Sequence, residues 1–341
     1  MRIPISLLLC LAASVASAQV VTSTHIETPR DKVPRFVRSA DAAVTVQDGD
    51  WSDPDTWLGG LLPSHEARVN HLVTISGTHE VESLEIDEGT LRVSREQDTL
   101  LRTLNLQVMP NGFLDSGTED DPITAIAIIE TLDRPLQTGT VAEPGIDPSQ
   151  YGNGLIVYGK IRVHGKEKVG WLQVASEPLA GHTVLNLVEI PTGWEPGDRL
   201  IVPDTRQMPL TTASPIFVSQ GEEVIIQSVT GTHVTLTAPL QYDHRGPRDA
   251  RGNVGPVELS MLPHVGNLTR NVIIRSQNPD GVRGHAMGMH RADSVIRYAS
   301  LHGLGRTSAA VSGLKNTTYD ADGNVLTIGT NQVGRYSWHM H

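Results

Sequence analysis

The chain has 341 residues, a net charge of −11 and a single cysteine, Cys10. That cysteine lies in an N-terminal leader, so thiol catalysis, zinc–thiolate sites and a disulfide framework are excluded for the mature chain, which must be held by a large continuous core. The acidic balance makes nucleic acid and anionic membrane surfaces poor partners for its body.

Residues 1–18 read as a secretory signal. Arg2 opens it, the apolar run LLLCLAASVA comes next, and Ala16-Ser17-Ala18 stands before Gln19. The run is too short to span a bilayer, and no later stretch supplies roughly 20 consecutive apolar residues. A secreted, extracellular protein without a membrane span is expected. Residues 19–42 read as a linker.

Beyond it, short Val/Ile/Leu/Thr runs recur between turn residues: HLVTISG, VESLEIDEG, TLNLQV, GLIVYGKIRVHG, DRLIVP, EVIIQSVTG, NVIIRS and SVIRYASL. Many alternate apolar and polar residues, the pattern of half-buried strands, and the chain is expected to be all-β. Residues 43–170, with frequent glycine, read as a compact β-module of the sandwich or barrel kind. From Trp171 to His341 longer polar turns separate the strands, as in the coils of a parallel β-helix. Thr317–Gly329 reads as a hairpin about Asp322-Gly323. The sequence stops at His341 in mid-strand with nothing to cap the last edge. The β-helix is therefore expected to be incomplete, the front part of a longer protein.

Trp51 and Trp57 are expected to pack inside the first module. Trp194 is expected to anchor a turn, and Trp338 to face inward. Asn267 and Asn316 begin glycosylation sequons.

Between His264 and Arg306 the acidic chain becomes locally basic, with six Arg and four His against Asp280 and Asp293. Fixed positive charge mixed with titratable imidazoles suits an anionic substrate, although arginines solvating outer strand faces give the same composition. On an extended strand His285, Met287 and Met289 share one face and His290 falls on the other. His339 and His341, two apart in GRYSWHMH, share a face as well. HxH is a metal-ligand spacing, a substrate-facing ladder or an ordinary exposed strand. Asp293 reads as a general acid, a calcium ligand or the ion-pair partner of Arg291. The expected catalytic set is His285, Asp293, His339 and His341, with Arg283, His290, Arg291 and Arg335 binding substrate. Asp115, Glu119, Asp120 and Asp121 in LDSGTEDDP could gather oxygens around Ca²⁺, or form an acidic surface turn. Asp320, Asp322 and Asn324 resemble part of an EF-hand loop, but Gly323 is misplaced and a closing Glu is missing, which leaves the hairpin.

Several of these segments carry a family pattern. WSDPDTWLGGLLPSHEARVNHLVTISGTHEV, LEIDEGTLRV, LDSGTEDDPI and YGKIRVHG resemble the G8 domain. GWEPGDRLIVPDT, EEVIIQSVTGTHVTLTAPLQYDH, HVGNLTRNVIIRSQNPDGVRGHAM, IRYASLHGLGRT and GRYSWHMH are similar to the segment after that domain in the family of the cell-migration-inducing hyaluronan-binding protein and the transmembrane hyaluronidase. The resemblance covers roughly Ala43 to His341. It implies a G8 module leading into a right-handed, pectin-lyase-like parallel β-helix, and calcium-dependent depolymerisation of hyaluronan. The expected function is thus a hyaluronidase-like glycoside hydrolase acting on hyaluronan or a similar anionic polysaccharide. A hydrolase needs two carboxyl groups about the bond, whereas elimination needs a neutralised uronate and a base. The His/Arg-rich, carboxylate-poor block leans toward elimination; the resemblance leans toward hydrolysis. The competing reading is a non-catalytic glycan-binding or adhesion module, favoured if these side chains do not converge in one groove.

Overall fold

The computed structural model describes residues 25–27, 32–206, 218–308, 310 and 313–341; residues 1–18, expected to be a secretory signal, and parts of the segment after them lie outside these. Among the described residues the chain is almost entirely β, and its one α-helix is Pro256–Leu259.

The strands wind as a three-walled parallel solenoid. The first wall stacks 77–81, 99–103, Ala127–Thr131, Val272–Ser276 and Ala299–His302. The second stacks Ala43–Val44, Glu66–Val69, 83–86, 105–108, Gly154–Val157, His285–Gly288 and His339–Met340. The third stacks Gly49–Asp50, Leu72–Ile75, Thr90–Val93, Phe113–Ser116, Lys160–His164 and Asp293–Arg297. Period-two alternation sends every second residue inward, and the parallel register lines those residues up between coils. Leu101, Ile129, Ile274 and Leu301 form one such column, Ala67, Leu84, Leu106, Leu155 and Ala286 a second, and Val73, Leu91, Leu114 and Ile161 a third. They join in a single apolar core that also takes in Trp51 and Trp57.

Glycines make the tight corner between the second and third walls. Gly89, Gly112 and Gly159 each precede a third-wall strand in successive coils. A Cβ on Gly112 would lie 2.1 Å from the Ile86 carbonyl oxygen, and one on Gly159 2.1 Å from that of Met109. Nothing larger than hydrogen fits where the backbone of one coil rests on the last.

The segment expected to be a linker is partly a strap. Lys32–Pro34 pairs antiparallel with His25–Glu27, and the chain then crosses the outer face of the second wall. There Arg35 pairs with Glu85 at 3.1 Å, while the Phe36 N–H donates to Gln107 and the Gln107 amide donates to the Pro34 carbonyl. Val33 and Phe36 pack with Tyr151, Ile156, Tyr158, Met287 and Met289 into a second apolar cluster outside the solenoid wall.

The structure is all-β with parallel sheets, but the coils begin at Ala43, inside the module expected to be separate, and the geometry changes at Trp171. From there Trp171–Gln173, His264–Asn267, Arg199–Val202, Glu222–Thr230, His233–Leu236 and Val184–Asn186 pair antiparallel in that spatial order. A bridge from Val174 to Leu187 closes the ring into a small barrel with its own core, which includes Trp194, Leu200 and Val234. The physical reason is the connections: tight reversals such as the one at Gly231, with φ of +58°, return each strand beside its predecessor, whereas solenoid corners carry the chain onward. The barrel is an insertion. The Lys166 N–H donates to Asn271 Oδ1 at 2.8 Å, so chain entry and exit are adjacent, and parallel coils resume at Val272. The hairpin expected over Thr317–Gly329 forms, from Thr318–Tyr319 and Val325–Thr327.

Replacing Gly112 with Ala is expected to destabilise the fold by about 3 kcal/mol, at the upper end for overpacking, because the obstruction is backbone. Urea denaturation measures this; a loss below about 0.5 kcal/mol would show that the coils separate easily.

Candidate functional site

Three excursions leave the solenoid at the corner between its first and second walls, in successive coils: 132–153, 277–284 and 303–338. Asp133 in the first ties down the second, accepting from the Val282 N–H at 2.9 Å and the Asn278 amide at 2.8 Å. In the first excursion Gln150 and Asn153 adopt left-handed φ of 58° and 52° and turn backbone carbonyls inward. Two arginines from the third collect those carbonyls. Arg306 donates through Nη2 to Gln150 at 2.6 Å and Gly152 at 2.9 Å, and through Nη1 to Asn153 at 3.2 Å and Arg283 at 3.1 Å. Arg335, 3% exposed, donates to the carbonyls of Ser149, Gln150 and Val333 and stacks 4.3 Å over the Tyr151 ring.

Asp147 is the carboxylate beside them. It is 2% exposed and accepts the N–H groups of Tyr151 at 2.8 Å and Gly152 at 2.6 Å. Burial outweighs those bonds and the two guanidinium groups, and pushes its pKa up to about 6. Arg306 is pushed down to about 9, by burial and by the neighbouring Arg335 charge; its stem is partly exposed but its Nε is enclosed.

His285 completes this hub. Its Nδ1 lies 2.9 Å from Arg306 Nη1, and because a guanidinium only donates, Nδ1 must accept and the proton sits on Nε2. The 3.2 Å approach of Nδ1 to the Asn153 carbonyl is then a contact between two acceptors, not a bond. Full burial and the Arg306 and Arg335 charges hold its pKa well below the ordinary imidazole value. The ring is neutral and 1% exposed, fixed as part of a clamp across three excursions rather than poised for proton transfer.

The other residues expected at a catalytic centre lie on the second and third walls and at the corner between them, where the His290 N–H donates to the His341 carbonyl at 2.9 Å. His339 stacks on Met287 on the second wall, and its Nε2 is 3.1 Å from His341 Nδ1, so the shared face expected for HxH is present. Partial burial, His341 and Arg335 lower the pKa of His339. Asp293 stands on the third wall instead, where Arg162 binds it at 2.6 Å and depresses its pKa. Its partner is therefore Arg162 from the preceding coil, not Arg291. His290 has a left-handed φ of 47° at a corner, and it and Arg291 are exposed. Arg283 is exposed and its Nε donates to the Pro279 carbonyl. Arg335, expected to meet substrate, is sealed in the hub.

The acidic turn does not assemble a cation cage. Asp115 is buried between Arg92 at 3.0 Å and Arg95 at 2.7 Å, Arg95 also holds Asp121 at 2.8 Å, and Glu119 lies 3.5 Å from Arg297. Asp120 is exposed beside them. Among the described residues no group of three His, Cys, Asp or Glu is arranged to hold a metal ion. Asn267 is 4% exposed with its amide donating to Asp198 at 2.8 Å, which removes that sequon from modification of the folded chain. Asp147 lies in a polar stretch with no motif, and Arg306, although it closes the basic block, reads there like any other arginine of that block; only the fold brings the two to one corner.

Residues 56–175 match the family model of the G8 domain. Human Fibrocystin-L is 29% identical over 239 residues, and the mouse protein 25% over 273. The matches cover 67% and 76% of this chain but only 5% and 6% of those proteins. The chain thus spans about a twentieth of the length of the curated relatives it matches. The gp54 tailspike of Acinetobacter baumannii bacteriophage AP22, solved with a capsular saccharide, aligns over 67% of this chain and 26% of its own, at 12% identity and a TM-score of 0.25. So low a score carries no argument.

Because folding raises the Asp147 pKa, this group's contribution to stability is fully present below about pH 4 and lost as pH rises through about 6. Between those limits the native state should lose up to about 3 kcal/mol on its account. Urea denaturation across that range should show stability falling less, or rising more, with pH in Asp147→Asn than in the parent; equal slopes would mean the carboxyl titrates normally.

Proposed function

We propose that this chain is a glycan-binding β-solenoid module of an extracellular protein, which docks an anionic polysaccharide electrostatically and does not by itself cleave it. The carrying observation is the exposed layer outside the buried hub. Arg283 and Arg291 are exposed and, among the described residues, have no carboxylate partner, and exposed His290 lies between them in sequence. Elsewhere on the solenoid Arg92, Arg95, Arg102, Arg162 and Arg275 are held by carboxylates of neighbouring coils. On a chain of net charge −11 the rim of the second-wall strand His285–Gly288 thus carries unneutralised positive charge at both of its ends, Arg283 before it and Arg291 after it. Such a rim attracts a polyanion and needs no deep pocket.

Hyaluronan and related uronate polymers are the ligands of choice because of the family resemblance in the sequence. Export is inferred from the leader. Cleavage is disfavoured by the carboxyls: Asp293 is clamped on another wall, Asp147 is sealed, and Glu85, whose pKa burial also raises, is sealed between Arg35 and Arg68. No helix of the described residues is long and apolar enough to cross a membrane.

The test is retention on immobilised hyaluronan, polygalacturonate and alginate, with sizing of the polymer after incubation in Ca²⁺ or EDTA. Retention should weaken steeply as salt shortens the screening length from about 10 Å at 0.1 M to about 3 Å at 1 M. The double variant Arg283→Glu, Arg291→Glu should bind about tenfold or more weakly with an unchanged melt, and no polymer should shorten. Retention indifferent to both charges and salt would overturn the reading, and a shortened polymer would restore the hydrolase.

A further inference from the structure

The inserted barrel carries a second surface that the basic rim does not explain. Trp51, Trp57 and Trp194 are at most 5% exposed, but Trp171 is 69% exposed on the first barrel strand. Its neighbour Leu172 points into the barrel core, so the indole stands on the outer wall. It borders a shallow cavity of about 460 Å³ whose lining includes Gln173, Val188, Glu189 and His264. That volume is within the range of small-molecule sites.

The local chemistry alternates. Gln173 shares the outer face with Trp171, and antiparallel pairing sets His264 opposite Gln173 and Gly266 opposite Trp171. Gly266 puts no side chain beside the indole; a Cβ there would come within 3.1 Å of Ile201. The result is an aromatic ring bordered by an amide, an imidazole and the exposed carboxylate of Glu189.

The backbone under the indole is fixed on both sides. The Trp194 indole N–H donates to the Val169 carbonyl at 2.7 Å, and the Asn267 N–H donates to the Gly170 carbonyl at 2.8 Å. Both rest on a buried knot in which Lys168 binds Asp198 at 2.6 Å and Asn267 binds the same carboxylate. With the strand already fixed, an exposed aromatic binds at the cost of ordering its own side chain and not the backbone.

We propose that the Trp171 cavity is a saccharide subsite that stacks one pyranose ring of a neutral polysaccharide. A pyranose offers an apolar face of axial C–H groups to the indole and a rim of hydroxyls to His264, Glu189 and the Gln173 amide oxygen, whose nitrogen already donates to the Ser260 and Leu262 carbonyls. An apolar partner helix would leave the Glu189 carboxylate and the His264 imidazole uncompensated. A uronate would meet the like charge of Glu189, so the ligand class differs from that of the basic rim, and this inference stands without that reading.

The experiment titrates the intact protein with cello-, xylo-, laminari- and chito-oligosaccharides, and in a separate arm with hyaluronan oligosaccharides, monitoring tryptophan emission. Trp171 is the most exposed indole, so burial under a sugar should shift the emission to the blue and saturate. Trp171→Ala should abolish the shift and weaken binding, read by calorimetry, about tenfold or more; Trp171→Phe should retain part of it. Because the side chain is exposed, both variants should melt with the parent. No binding by any neutral oligosaccharide, or binding indifferent to Trp171→Ala, overturns the proposal. Binding of hyaluronan oligosaccharides alone, lost in the Arg283/Arg291 variant and kept in Trp171→Ala, overturns it while leaving the rim intact.

Discussion

Backbone-on-backbone contact at the corner of Gly89, Gly112 and Gly159 is the constraint on which the structure depends. A parallel ladder holds neighbouring strands about 4.8 Å apart, and a solenoid must keep that spacing at its corners as well as along its walls. Side chains at the corner would wedge the coils open and misalign the inward columns. With glycine there, Leu106 meets Leu84 on one side and Leu155 on the other, and the core runs unbroken from Ala43 to Leu301. With Cys10 its only cysteine, the chain has no internal disulfide to hold it. Cohesion has to come from this continuity.

The same registration decides the fate of the charges. A residue pointing outward from one coil has its equivalents directly above and below, so opposite charges in neighbouring coils meet. Glu85 receives Arg68, Asp115 receives Arg92, Glu130 receives both Arg102 and Arg275, and Asp293 receives Arg162. The exposed pairs add little stability. Their larger effect is to consume the carboxylates that a hydrolase or a calcium site would need. Where coils pair their charges in this way the fields largely cancel, which they do not at the unpaired rim.

Strand content was legible in the sequence because period-two alternation reports a half-buried strand whatever sheet it joins. The direction of pairing was not. EVIIQSVTGTHVTLTA and VESLEIDEGTLRV read alike as two runs about a glycine turn, yet the first is an antiparallel hairpin and the second turns a solenoid corner. The difference lies in what each strand meets from distant parts of the chain, above all whether a strand from another coil lies parallel to it. Trp338 packs against the core and Trp51 and Trp57 lie within it, as their surroundings suggested, because large apolar rings have few alternatives. The role of Trp171 was not legible, because exposure depends on the face its strand presents, and that face is fixed only once the barrel closes.

Composition likewise could not sort the cations of the basic block. Arg283, Arg291, Arg306 and the later Arg335 are the same side chain in similar text, yet Arg335 is buried and Arg306 half-buried as structural members, while the other two face solvent. What separates them is the supply of backbone carbonyls. The left-handed turns at Gln150 and Asn153 direct acceptors inward, and a guanidinium with five donors satisfies several at once, which draws Arg306 and Arg335 into the corner. His285 joins them as acceptor for the surplus donor of Arg306 and surrenders its charge to burial. Arg283 gives its carbonyl to that clamp, so its backbone is fixed while its guanidinium remains outside. Arg306 and Arg335 thus hold rigid the excursion that carries an exposed arginine. A block that reads as a single basic patch divides into a scaffold and the surface it presents.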